Sequence, residues 1–98
     1  MNQLKFTIDD TNLSSQGNFS DQSRFKFELI GNSNKYKNCK IVAVFEKNRE
    51  EYAVPIKEDY SCKLPFNLEN SNYFSIRVIR EKDGIKFNTN TILINKEV

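Results

Sequence analysis

The stretch RFKFEL, residues 24–29, places Phe25, Phe27 and Leu29 on one parity and Arg24, Lys26 and Glu28 on the other. Alternation with a period of two is the mark of a strand with one face buried and one wet, because successive side chains point to opposite sides of a pleated sheet. The same reading extends outward in both directions. Upstream, Leu4, Phe6 and Ile8 alternate with Lys5 and Thr7. Between these two strands lies a polar stretch, Asp9 to Gln22, rich in Ser, Asn and Asp. At that length, and without regular structure of its own, it is expected to be either mobile or used for binding. Downstream, Gly31-Asn32-Ser33-Asn34 ends the RFKFEL strand.

Cys39–Phe45 differs in carrying apolar residues on both parities. Cys39, Ile41, Ala43 and Phe45 form one face, and Val42 and Val44 sit on the other. Asn48-Arg49 then turns the chain into a strand bearing Tyr52, Val54 and Ile56, where Pro55 marks an edge or a bulge. A short strand with Tyr60, Cys62 and Leu64 stops at Pro65, and Phe74, Ile76 and Val78 form the next. Asp83-Gly84 reads as a hairpin turn. In the tail, Ile85/Phe87 and Ile92/Ile94 lie on different parities across Asn88-Thr89-Asn90-Thr91. The side-chain phase thus slips by one residue, as at a β-bulge or a crossing between sheets.

Seven or eight short strands, with turn signals about every ten residues and no helical pattern, predict one all-β domain over residues 1–98. The expected architecture is an immunoglobulin-like sandwich of two antiparallel sheets. Its 98 residues suit a single domain, and eight Phe and four Tyr supply a core of aromatic and β-branched side chains. Antibody domains carry a buried Trp, and this chain has no Trp.

Composition argues against most chemistry. With no His, a Ser or Cys nucleophile lacks its usual base, and a zinc site lacks its usual ligands. The acidic pairs Asp9-Asp10, Glu50-Glu51 and Glu58-Asp59 are sequence neighbours, which a strand splits between its faces and a turn leaves in solvent. The three glycines form no phosphate-cradling motif. No catalytic residue, metal or cofactor is therefore assigned. Cys39 and Cys62 are expected to be two buried thiols in a reducing cytoplasm, since the start of the chain does not read as a secretory signal. No apolar run is long enough to span a membrane.

Net charge is +2, from 15 basic and 13 acidic residues, too balanced for a nucleic-acid footprint. Lys35-Tyr36-Lys37-Asn38-Cys39-Lys40 interleaves an aromatic with ammonium groups as single-strand binders do. Loop lysines are ordinarily just solvated, and nucleic acid is not taken as the partner. A glycan-binding sandwich would expose planar aromatics, for which Tyr36, Tyr52, Tyr60 and Tyr73 are the candidates. If the Phe45 and Ile76 faces point to the core, Val42, Val44, Ile79 and Leu93 point outward on neighbouring strands, rimmed by Arg77. Such an outer face marks a protein partner or a subunit contact. Alternatively, the Asp9–Gln22 stretch folds over it with Leu13 and Phe19.

Four stretches together resemble a known group. They are Leu4-Lys5-Phe6-Thr7-Ile8 followed by Asp9, Asp10, Asn12 and Leu13; Cys39–Phe45 with Ala43 and Phe45; Ser61-Cys62-Lys63-Leu64-Pro65-Phe66; and Phe74-Ser75-Ile76-Arg77-Val78 followed by Lys86–Ile94 with Thr89-Asn90. In this order they resemble small proteins encoded among the tail and baseplate genes of phages and prophages of Gram-positive bacteria. The resemblance implies an immunoglobulin-like, non-enzymatic structural or virion-associated module that adheres to other phage proteins or to itself as a homo-oligomer. It would be made in the host cytoplasm and then join the virion. Two alternatives stand beside this: a carbohydrate-binding sandwich touching the host cell wall, and a small phage-encoded inhibitor of a host protein.

Overall fold

The computed structural model describes residues 3–20, 22–31 and 36–96. Its strands, in chain order, are β1 (Lys5–Asp9), β2 (Asn12–Gln16), β3 (Arg24–Ile30), β4 (Lys40–Lys47), β5 (Glu50–Pro55), β6 (Ser61–Lys63), β7 (Tyr73–Lys82), β8 (Ile85–Asn88) and β9 (Ile92–Asn95). One sheet has the order β2-β1-β3-β6. The other has β5-β4-β7-β8, with β9 pairing β7 beside β8. The protein is all-β, built of two sheets packed on a common core.

That core follows the parity of the strands. Phe6, Phe25 and Phe27 come from the first sheet, and Ala43, Phe45, Phe74, Ile76 and Val78 from the second. Phe25 sits among four other rings, with centroids 5.6 Å from Phe6, 6.0 Å from Phe19, 6.2 Å from Phe45 and 5.9 Å from Phe74. Edge-to-face and tilted contacts of this kind add to plain area burial because the rim of one ring meets the face of the next.

The first sheet departs from the all-antiparallel expectation. β1 pairs β3 in parallel, Phe6 against Phe27 and Ile8 against Leu29. The polar stretch after β1 causes this. It is not an unstructured loop, because Asp10, at φ 56°, turns the chain into the edge strand β2, Asp9 opposite Asn12. A second reversal around Gly17, at φ 87°, restores the original direction, so β3 runs with β1. Leu13 and Phe19 are both 3% exposed and belong to the core between the sheets, so they do not cover the outer face of the second sheet. The strand count among the described residues therefore rises to nine. The described chain also includes a short 3-10 turn at Phe66–Leu68.

Turn chemistry matches its positions except at Arg49 and Tyr60, two bulky side chains at φ 69° and 58°. Asp83 and Gly84 both have positive φ (54° and 80°) and join Lys82 to Ile85, the two-residue type I′ geometry that suits the twist of a hairpin. Asn48 and Arg49 do the same between Lys47 and Glu50, at φ 55° and 69°. Arg49 pays the left-handed steric cost that glycine avoids. Arg49→Gly is expected to stabilise the protein by about 0.5–1 kcal/mol, seen as a higher melting temperature, with unchanged far-UV circular dichroism. A lower melting temperature would show that the Arg49 side chain matters more than its backbone.

The tail contains two strands and a one-residue phase slip. Ile79 opposes Asn88 and Ile76 opposes Ile92, so two residues of β7 face three between β8 and β9. Thr89 repairs the ladder: its N–H donates to the Val78 carbonyl at 2.9 Å, and its buried Oγ1 accepts from the Val78 N–H at 2.9 Å.

Candidate interaction surface

Cross-strand register fixes the outer face of the second sheet. With Ala43, Phe45, Phe74, Ile76 and Val78 buried inward, Lys40, Val42, Val44 and Glu46 of β4 point out. Arg77, Ile79 and Glu81 of β7 point out beside them. Val42 lies between Pro55 of β5 and Ile79 of β7, and Val44 between Ala53 and Arg77. Val42, Val44 and Ile79 thus form one continuous apolar stripe. Leu93 is on the same face but opposite Ser75, four residues along β7 from Ile79. Arg77 stands between them, so Leu93, 60% exposed, is separated from the stripe rather than joined to it.

Arg77 does more than rim the surface. Its Nη1 reaches diagonally over β4 to Oε2 of Glu51 on β5, a 2.7 Å ion pair, while its Nε donates to Asn88 Oδ1 at 3.3 Å. The aliphatic stem is laid across Val44, which is only 6% exposed although it points away from the core. The pair Glu50-Glu51 begins β5 and is split between its faces, so only Glu51 shares the outer face. Glu50 instead accepts a hydrogen bond from Tyr52 Oη at 2.6 Å.

The tyrosines proposed for stacking are placed otherwise. Tyr36 is 4% exposed, its hydroxyl donating to the Asp10 carbonyl at 2.6 Å. Burial raises its pKa, and the neighbouring Arg80 opposes that rise. The Arg80 guanidinium lies 5.3 Å from the Tyr36 ring centroid and 4.3 Å from that of Phe87, which holds the ring against the β7–β8 hairpin. Tyr52 and Tyr60 are half-buried, and Tyr73 lies under Lys47 Nζ at 4.6 Å. The four rings form no shared platform. In the basic stretch Lys35–Lys40, Lys35 lies outside the described residues, and the buried Tyr36 ring is closed to a stacking base.

A cleft of about 410 Å³ at one end of the sandwich is lined by Cys39, Ile41, Ile56, Lys57 and Tyr60, among others. No disulfide joins the two cysteines, and of the two expected to be buried only Cys62 is. Cys39 is half-buried at this cleft. Cys62 is closed inside the core, where burial pushes its thiol up to about 12. A raised thiol pKa means the native state holds the neutral form. The associated stability is complete below the ordinary value of 9.0 and is lost as pH climbs toward about 12. Among the described residues, no group of three or more His, Cys, Asp or Glu side chains is arranged to hold a metal ion. No helix of the described chain is long and apolar enough to cross a membrane.

Sequence reasoning reached Asn90 as part of a kink but missed its partner, Leu13. Its side-chain amide accepts from the Leu13 N–H at 2.7 Å and donates to the Leu13 carbonyl at 3.0 Å. It pairs with β2 as a neighbouring strand would, clipping the tail of the second sheet to the edge of the first. The only local signal was an amide residue at a phase slip, and nothing near it in sequence points to Leu13. Compared with protein-family models, curated proteins and solved structures, the chain matches none.

Proposed function

We propose that this chain is a non-enzymatic, immunoglobulin-like protein-interaction module of a phage tail, baseplate or receptor-binding apparatus, docking through the outer face of its second sheet. The observation that carries the docking reading is the Val42, Val44 and Ile79 stripe, which has no covering element among the described residues beyond the Arg77 strap. An apolar centre with a charged margin is the anatomy of a protein contact. The immunoglobulin-like reading is supported by connectivity. β3 pairs β6 in one sheet, and β5, β4, β7 and the tail strands make the other, the order that C′, C, F and G take in such folds. The parallel β1 departs from that scheme, where the first strand runs antiparallel to its neighbour. The phage setting rests on the four sequence stretches that resemble tail and baseplate proteins.

Affinity capture from virions of the phage carrying the gene tests this, using the wild type and Val42→Asp. Wild type is expected to recover tail or baseplate proteins, and Val42→Asp to recover at least about tenfold less while melting within a few degrees of wild type. Equal recovery by both, or recovery of a host enzyme and no virion protein, overturns the reading.

A further inference from the structure

On the outer face of the second sheet, β4 presents Lys40, Val42, Val44 and Glu46 in that order. The sequence of characters is cation, apolar, apolar, anion. Laid antiparallel on a copy of itself, it matches at every position: Lys40 meets Glu46, and Val42 comes over the level of Val44, where the Arg77 stem rather than the 6%-exposed Val44 side chain receives it, each twice. We infer that this stripe is a self-complementary contact, through which two copies of the chain pair face to face about a two-fold axis lying across the strands. This rests on the reading of that face as a docking surface and names its partner as a second copy.

Two observations on the charges support it. Neither Lys40 nor Glu46 forms an ion pair within the described residues: Glu81, opposite Lys40, is held by Lys86 at 3.8 Å, and Arg77 is taken by Glu51. Moreover, Glu46 stands directly across from Glu51 in the β4–β5 register. Like charges opposite one another disfavour the pairing of their strands. Arg77 relieves Glu51, while Glu46 is left needing a cation that none of the described residues brings within ion-pair distance. In the paired arrangement Lys40 of the second copy supplies it. On β7, Ile79 of each copy would meet the Arg77 stem of the other, extending the apolar contact without disturbing the Arg77–Glu51 pair. An isologous contact of this kind closes on itself and stops at two copies.

The size of the face sets the strength. Four strands about 4.8 Å apart and seven residues at about 3.3 Å each make a patch of roughly 19 by 23 Å. That is well short of the ~800 Å² each partner gives to a standard interface, so the dimer belongs to the weak, transient class. Self-association must therefore be followed to high concentration.

Sedimentation equilibrium on the full chain to about 1 mM, with Lys40→Glu and Glu46→Lys measured singly and as an equimolar mixture, tests the pairing. Wild type is expected to show reversible dimerisation. Each single reversal sets two like-charge contacts across the two-fold and is expected to weaken it at least about tenfold. The mixture restores opposite charges at both contacts and is expected to associate at least about tenfold more tightly than either variant alone. That recovery also shows both variants to be folded. A wild type monomeric to 1 mM, or a mixture no tighter than its components, overturns the pairing. The two readings fail separately. A monomeric wild type that still loses its virion partners on Val42→Asp removes self-pairing alone; a dimer whose virion capture is indifferent to Val42→Asp removes the docking of virion proteins alone.

Discussion

Phe25→Ala is expected to remove about 3–5 kcal/mol of folding stability, the range for deleting a buried aromatic ring. Phe25 is fully buried and is in contact with Phe6 on its own sheet, Phe19 from the β2–β3 connection, and Phe45 and Phe74 across the interlayer space. Removing it takes one ring from four aromatic contacts and leaves a void that two stiff sheets cannot close by sliding together. A domain of this size has roughly 5–15 kcal/mol in total, so the variant stands close to the edge of folding. Equilibrium unfolding in urea should show a lower midpoint with an unchanged slope. Phe66→Ala is the matched control, because Phe66 is 82% exposed and its loss should change stability by no more than about 0.5 kcal/mol. A loss below about 1.5 kcal/mol at Phe25 would mean the sheets repack around the gap, contrary to the close aromatic packing described above.

Asn90→Val is expected to cost about 2 kcal/mol, and to do so without weakening any contact made by the outer face of the second sheet. The valine cannot take the Leu13 N–H or satisfy the Leu13 carbonyl, so two main-chain groups lose their partners at once. Each such loss is worth about 1 kcal/mol where water has only partial access. For a domain of about 100 residues this corresponds to a melting temperature lower by about 8–16 °C. Hydrogen exchange should locate the damage, with protection lost at Leu13 before the β4–β7 ladder is affected. Unchanged melting together with lost partner capture would instead make Asn90 a binding residue.

These two residues differ in how far sequence reaches them. Phe25 was legible from its place in RFKFEL, because alternation within a strand is set by backbone geometry and needs no knowledge of neighbours. The same holds for Phe6, Phe45, Phe74 and Ile76, all fully or nearly fully buried, and for the Asp83-Gly84 turn. The outward parity of Val42, Val44 and Ile79 was legible for the same reason. Asn90 was legible only as part of a kink. Its partner Leu13 is 77 residues away, and no periodicity carries information over that span. Arg77 was visible as a rim charge, but not as a strap, because Glu51 lies 26 residues earlier on a strand two places across the sheet.

The polar run from Asp9 to Gln22 shows the same division at larger scale. Its composition favours a loop, and β2 within it buries only Leu13. What makes it a strand is the exposed edge of β1, whose unpaired main-chain groups it satisfies, and the Asn90 amide on its other side. By itself the sequence determined that this protein is made mostly of strands, which side chains go inward on the strands that carry Phe6, Phe25, Phe45 and Phe74, and where the Asn48-Arg49 and Asp83-Gly84 turns fall, since all three follow from local stereochemistry with a reach of a few residues. The tertiary structure alone decided which distant strands become neighbours, that β1 runs parallel to β3, and that Arg77 crosses β4 at Val44 to reach Glu51. Those choices come from closing one aromatic core between two sheets while pairing main-chain groups far apart in the chain, a condition no short stretch of sequence contains.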